Sequence, residues 1–196
     1  MTDRKGTCMN KVRERITESI EVKNRLLDDE IIIGQILKAG ELVGGILQTG
    51  GKVLLCGNGG SASDSLHIAG EIVGRFQKER RSLPAIALPA DVASMTAIAN
   101  DYSYDDVFAR ETEGLMNDKD VLIGISTSGN SENVYRAMKK AKEIGGKTIA
   151  LLGKSGGRMK DEADIAIFVP SDVTARIQES HIMIGHIICE IAEMGY

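Results

Sequence analysis

A chain of 196 residues, 42% hydrophobic and 27% charged, suffices for the core of one α/β domain and not for two comfortable ones. Its formal net charge of -4 offers no broad basic field to nucleic acid or to an anionic membrane surface. The polar N-terminus lacks the apolar stretch of a signal peptide, no apolar run approaches ~18 residues, and Cys8, Cys56 and Cys189 have no paired or metal-like spacing; a cytoplasmic protein is expected.

In chain order, residues 1–9 read as a loose tail. Val12, Ile16, Ile20 and Leu27 then recur at helical spacing, as do Ile32, Ile33, Ile36, Leu37, Val43 and Leu47 in a second segment closed by Gly50-Gly51, giving an N-terminal helix pair over 10–49. From Lys52 the pattern alternates. Strands are expected at 52–56, 84–88, 120–125, 147–152 and 164–169, and helices at 62–76, 91–99, 105–116, 131–144 and 174–194. Each strand is a short all-apolar run, as in a parallel sheet covered on both faces. The expected fold is therefore α/β, a doubly wound five-stranded parallel sheet flanked by helices, with the helix pair added in front and any ligand at the carboxyl ends of the strands. Segment 31–47 carries more apolar residues than one core-facing stripe needs, and 174–194 is apolar nearly all round, so both are expected to pack in a homo-oligomer. Lys78, Arg80 and Arg81, interrupted by Glu79, read as a solvated loop.

Two loops carry the chemistry. Val53-Leu54-Leu55-Cys56 runs into Gly57-Asn58-Gly59-Gly60-Ser61-Ala62-Ser63, and Val121-Leu122-Ile123-Gly124-Ile125 runs into Ser126-Thr127-Ser128-Gly129-Asn130-Ser131. A strand that ends in such a loop and opens a helix leaves unpaired N–H groups converging on one spot, with the helix dipole behind them; both favour an anion. Hydroxyls in the second loop add donors that suit phosphate oxygens. Gly57-x-Gly59-x-x-Ala62 also fits a dinucleotide fingerprint, but the acid at the required distance, Glu79, falls in the basic loop and does not clearly end a second strand. No G-K-[ST] follows, so a nucleotide P-loop is excluded.

His67 and Glu71, four residues apart, share one helix face two turns past the first loop. They suit a metal ion or proton transfer, and the same spacing suits a plain helix-surface hydrogen bond; their place beside the anion loop favours chemistry. His181 and His186 lie with Gln178 on the C-terminal helix, where an isolated histidine is more often a core residue. Gln178 and His186 are separated by ~12 Å of rise and ~80° of rotation on a regular helix. They meet at one ion only with extended side chains, or else serve two copies of the site. Asn100-Asp101 suits either a hydroxylated ligand or a turn.

Taken together, Gly57 to Asp64 with His67 and Glu71, Asn100-Asp101, Ser126 to Ser131, and Ala175-Arg176-Ile177-Gln178-Glu179 with His186 resemble the phosphoheptose isomerases, the sedoheptulose 7-phosphate branch of the sugar-isomerase (SIS) domain superfamily. The resemblance spans nearly the whole chain and implies a flavodoxin-like SIS domain over 10–196. It implies sugar-phosphate contacts from Asn58, Gly59, Gly60, Glu71, Asn100, Asp101 and Gln178, and a phosphate held by Ser126, Thr127, Ser128 and Ser131. His67, Glu71, Gln178 and His186 would bind one zinc ion per subunit of a homotetramer, and His181 has no role. The implied reaction is aldose–ketose isomerisation through an enediol, yielding D-glycero-D-manno-heptose 7-phosphate as the first step toward nucleotide-activated heptose, with Glu71 as carbon base and His186 as its acid/base partner. The superfamily also holds non-catalytic members that bind a protein partner, of the replication-initiator-associating type, or sense a sugar phosphate. Those partner-binding members lack the counterparts of Glu71 and His186.

Overall fold

The computed structural model describes residues 4–196. Helices α1 (Arg4–Leu27) and α2 (Glu30–Gln48) form the N-terminal pair, and Asp29 between them caps α2 by accepting from the N–H groups of Ile31 and Ile32 at 3.0 and 3.1 Å. Of the tail expected at 1–9, residues 1–3 lie outside the described residues and the rest is helix. Adding turns to an existing helix costs little, and no proline interrupts this stretch.

Strands β1 (Val53–Gly57), β2 (Ala85–Ala87), β3 (Val121–Ser126), β4 (Lys147–Gly153) and β5 (Ile165–Val169) form one parallel sheet in the order β2-β1-β3-β4-β5. Alternate residues feed opposite faces. Leu55, Ile123, Ile125, Leu151 and Ile167 pack with α2, α3 (Gly60–Val73) and α7 (Thr174–Glu193). Leu54, Cys56, Leu122, Ala150 and Leu152 pack with α5 (Val107–Leu115) and α6 (Glu132–Ile144). The chain leaves β1 toward β2 on one side and later returns to place β3 on the other. The crevice between the carboxyl ends of β1 and β3 is therefore the switch point where ligands bind in such sheets, and both anion loops open there.

The departures from expectation have local causes. Strand β2 is only three residues long, bracketed by Pro84 and Pro89, and α4 (Val92–Asp101) follows it. A single turn at Tyr104–Asp106 precedes α5, with Ser103 Oγ accepting from Asp105 N. Arg80 is not part of a solvated loop. Its side chain is 3% exposed and paired with Glu193, whose carboxylate also accepts from the N–H groups of Phe76, Gln77 and Lys78 at 2.7, 2.9 and 3.1 Å. The apolar girth of α7 is taken up largely inside its own chain: Ile177, Ile184 and Ile188 are buried, and Ile182, Met183 and Ile187 pack against the same core. The exposed apolar stripe lies elsewhere, on α1 (Met9, Val12, Ile16, Ile20) and on α2 (Ile31, Ile33, Leu37).

Candidate active site

Gly60, Asp64, His67 and Glu71 form one stripe along α3, and this stripe faces α7. At its start α7 comes so close that a Cβ on Gly60 would run into the carboxamide of Gln178. Two turns on, His67 Nε2 lies 3.1 Å from Glu71 Oε1 and 3.3 Å from His186 Nε2. Phe76 stacks on the His186 ring with centroids 5.4 Å apart and planes 18° from parallel.

The ligand atoms of His67, Glu71 and His186 all lie within 4.8 Å of one another. Donors bound 2.0–2.2 Å from a tetrahedral zinc stand roughly 3.3 Å apart, so these separations fit the ion, and two imidazoles with a carboxylate are the donor chemistry it takes. The fourth expected ligand, Gln178, is held at the first-loop end of the stripe, about 10 Å of helix rise before His67. The fold thus brings three of the four together and leaves Gln178 beside the loop.

Burial pushes the Asp64 carboxyl, one turn before His67, up to about 6, with the His67 charge pulling the other way. Burial likewise drives His181 down to about 4, against a smaller opposing pull from the Leu152 carbonyl. It is a neutral core histidine, as its apolar surroundings suggested.

At the second loop Ser126 Oγ and Ser131 Oγ are 3.0 Å apart, and Ser126 Oγ accepts from Gly129 N at 3.2 Å. Ser131 stands at the N-cap of α6 without spending its hydroxyl on the helix, so the first turn of α6 keeps open donors. Gly129, at φ +67°, packs where a Cβ would strike the Gly156 carbonyl; only glycine fits. Thr127 and Ser128 line a cavity of about 200 Å³ with Lys154, Ser171 and Thr174. Gly59 and Gly60 show no acceptor for their N–H groups among the described residues. The loops are joined: Asn58, in the first, exchanges amide hydrogen bonds with Asn133, in the first turn of α6, at 2.8 and 2.9 Å.

A sugar-isomerase (SIS) domain model matches residues 16–153. The phosphoheptose isomerase of Clostridium acetobutylicum is 53% identical over 184 residues, 94% of each chain. That of a Nitratiruptor strain is 65% identical over 145 residues, 74% of this chain and 78% of the relative. The solved structure of the Neisseria gonorrhoeae phosphoheptose isomerase superposes with a TM-score of 0.89 at 40% identity, covering 95% of this chain and 99% of that one. The chain belongs to the phosphoheptose isomerases.

As a phosphoheptose isomerase, the chain has the fold expected from its sequence; of the expected residues, His67, Glu71 and His186 cluster between α3 and α7, Gln178 stands beside Gly60, and Thr127 and Ser128 share a cavity. Asn100 and Asp101 are exposed at the end of α4 and are hydrogen-bonded to each other at 2.9 Å. The residue that reaches the first loop from that region is Tyr104, whose hydroxyl donates to Asn58 Oδ1 at 2.8 Å. Sequence reasoning missed both Tyr104 and Asn133. Neither belongs to a motif, and each acts only through a contact 46 or 75 residues away along the chain.

Proposed function

We propose that this phosphoheptose isomerase converts sedoheptulose 7-phosphate to the corresponding aldose, D-glycero-D-manno-heptose 7-phosphate, through an enediol. The observation that carries the reading is the convergence of His67, Glu71 and His186 on the helix that opens from the first anion loop. The second loop lies across the same crevice, so a phosphate held by Ser126, Thr127, Ser128 and Ser131 leaves the rest of a seven-carbon sugar to run along α3. Asn58, Gly59, Gly60 and Gln178 line that path, with Asn100 and Asp101 contributing from α4.

Glu71 turns Oε1 toward His67, and its Oε2 has no partner among the described residues. That oxygen takes the proton α to the carbonyl and returns it to the neighbouring carbon, while His186 moves a proton between the two oxygens. A zinc ion held by His67, Glu71 and His186 would supply electrostatic polarisation of the substrate oxygens. Splitting the Glu71 carboxylate between two oxygens lets it orient one group and deprotonate another.

The enzyme is further proposed to be a cytoplasmic homotetramer. No helix among the described residues is long and apolar enough to cross a membrane. The apolar stripe on α1 borders a groove of about 580 Å³ with Arg176 and Glu179, an exposed surface of the kind that association buries. A non-catalytic partner-binding role is disfavoured by the presence of both Glu71 and His186. The deciding experiment incubates purified protein with sedoheptulose 7-phosphate after chelation, with and without added zinc, and follows aldose. Zinc-restored turnover is expected, and no aldose under any metal condition would refute the proposal.

A further inference from the structure

The orientation of the Asn58 amide can be deduced from donors whose identity is beyond doubt. The backbone N–H of Val134 is only a donor, and it binds Asn133 Oδ1 at 2.9 Å. Asn133, 3% exposed, must then present Nδ2 to Asn58 Oδ1 at 2.9 Å and receive Asn58 Nδ2 on its own oxygen at 2.8 Å. The Tyr104 hydroxyl donates to the same Asn58 Oδ1 at 2.8 Å. Both lone pairs of that oxygen are thereby occupied, and one N–H of Asn58 Nδ2 is the only part of the carboxamide left without a partner among the described residues.

We propose that Tyr104 is a positioning residue that makes Asn58 a donor-only group for the sugar phosphate. Without the phenol, Asn58 Oδ1 regains a free lone pair and the amide loses one of three restraints. It then presents an acceptor beside the N–H groups of Gly59 and Gly60, where a phosphate oxygen, which only accepts, calls for donors. The side chain also ties the turn at Tyr104–Asp106 to the first loop, so the ligand meets a donor set already in place. This inference rests on the reading of Asn58 as a substrate-binding residue.

The test is a double-mutant cycle of Tyr104→Phe and Asn58→Ala, with KM and kcat for sedoheptulose 7-phosphate, inhibition by inorganic phosphate, and melting temperature as readouts. Tyr104→Phe keeps the ring, which is half-exposed, and is expected to raise KM and the phosphate inhibition constant roughly three- to ten-fold, as for one hydrogen bond. The melting temperature should be unchanged and kcat should stay within about two-fold. In the Asn58→Ala background, Tyr104→Phe should have no further effect on KM. Wild-type KM in Tyr104→Phe, or the same KM increase in both backgrounds, overturns the proposal. Wild-type KM in Asn58→Ala instead overturns the binding reading beneath it, so the two failures are separable.

Discussion

Glu71 is asked to do two things, and its two oxygens divide them. Oε1 is engaged with His67 at 3.1 Å, and Oε2 is free to work on carbon. Glu71→Gln keeps the size and the polar contact but removes the base. Turnover should fall by about 10²–10⁴-fold while binding of sedoheptulose 7-phosphate, measured by calorimetry, changes little. Unaltered kcat would remove Glu71 from the chemistry. The phosphate loop offers a complementary test. Replacing Ser128 and Ser131 together by alanine should weaken binding by about 1–3 kcal/mol, because charge-assisted hydrogen bonds to the phosphate are lost. The loss should vanish for a sugar lacking the phosphate, and an equal loss for both ligands would contradict the assignment. At this scale the sequence exposed the two loops and the His67–Glu71 pair as local patterns, and His186 through the family resemblance. It concealed those whose role is made by a distant partner. Arg80 sits in a basic run and reads as solvated until Glu193, 113 residues away, is brought against it. Tyr104 and Asn133 are hidden for the same reason.

Among the elements, α7 does the most varied work. One side delivers Gln178 and His186 to α3, and others enter the core with Ile184, Ile188 and His181. His181 gives that packing a pH signature. Its pKa falls from the usual 6.5 to about 4 on folding, so the unfolded chain binds a proton that the folded chain refuses. The stability it preserves is complete above pH 6.5 and is lost progressively as the pH falls toward 4. Between pH 7.5 and pH 5 the loss amounts to about 2 kcal/mol. Urea unfolding at several pH values should show that decline in the native chain and a shallower one in His181→Asn; parallel slopes would contradict it. The strands were legible because a two-sided parallel sheet demands unbroken apolar runs, and Val53–Cys56 and Val121–Ile125 supply them. Helix ends were harder, since Gly60 starts α3 on the strength of loop geometry and Glu193 captures the backbone just past its end. The girth of α7 misled in another way. Periodicity reports that a helix is surrounded, and a neighbouring α2 surrounds it as well as a second subunit does.

For the whole molecule, the apolar surface left unpaired among the described residues runs along α1 and α2, and on α1 Ile16 is 55% and Ile20 53% exposed. Light scattering should report a tetramer for the native chain. Ile16→Glu with Ile20→Glu should yield smaller, folded species, because two carboxylates cannot be buried there without partners. A native chain that scatters as a monomer would end the argument for assembly. The sheet, by contrast, must not find partners, and its β2 margin is built to refuse them. Only Ala85–Ala87 runs as strand there, between Pro84 and Pro89, and neither proline has an N–H to offer an incoming chain. A β-rich neighbour therefore meets a ladder too brief to extend, so fibrillar stacking is blocked at that margin even while the protein is crowded or newly made.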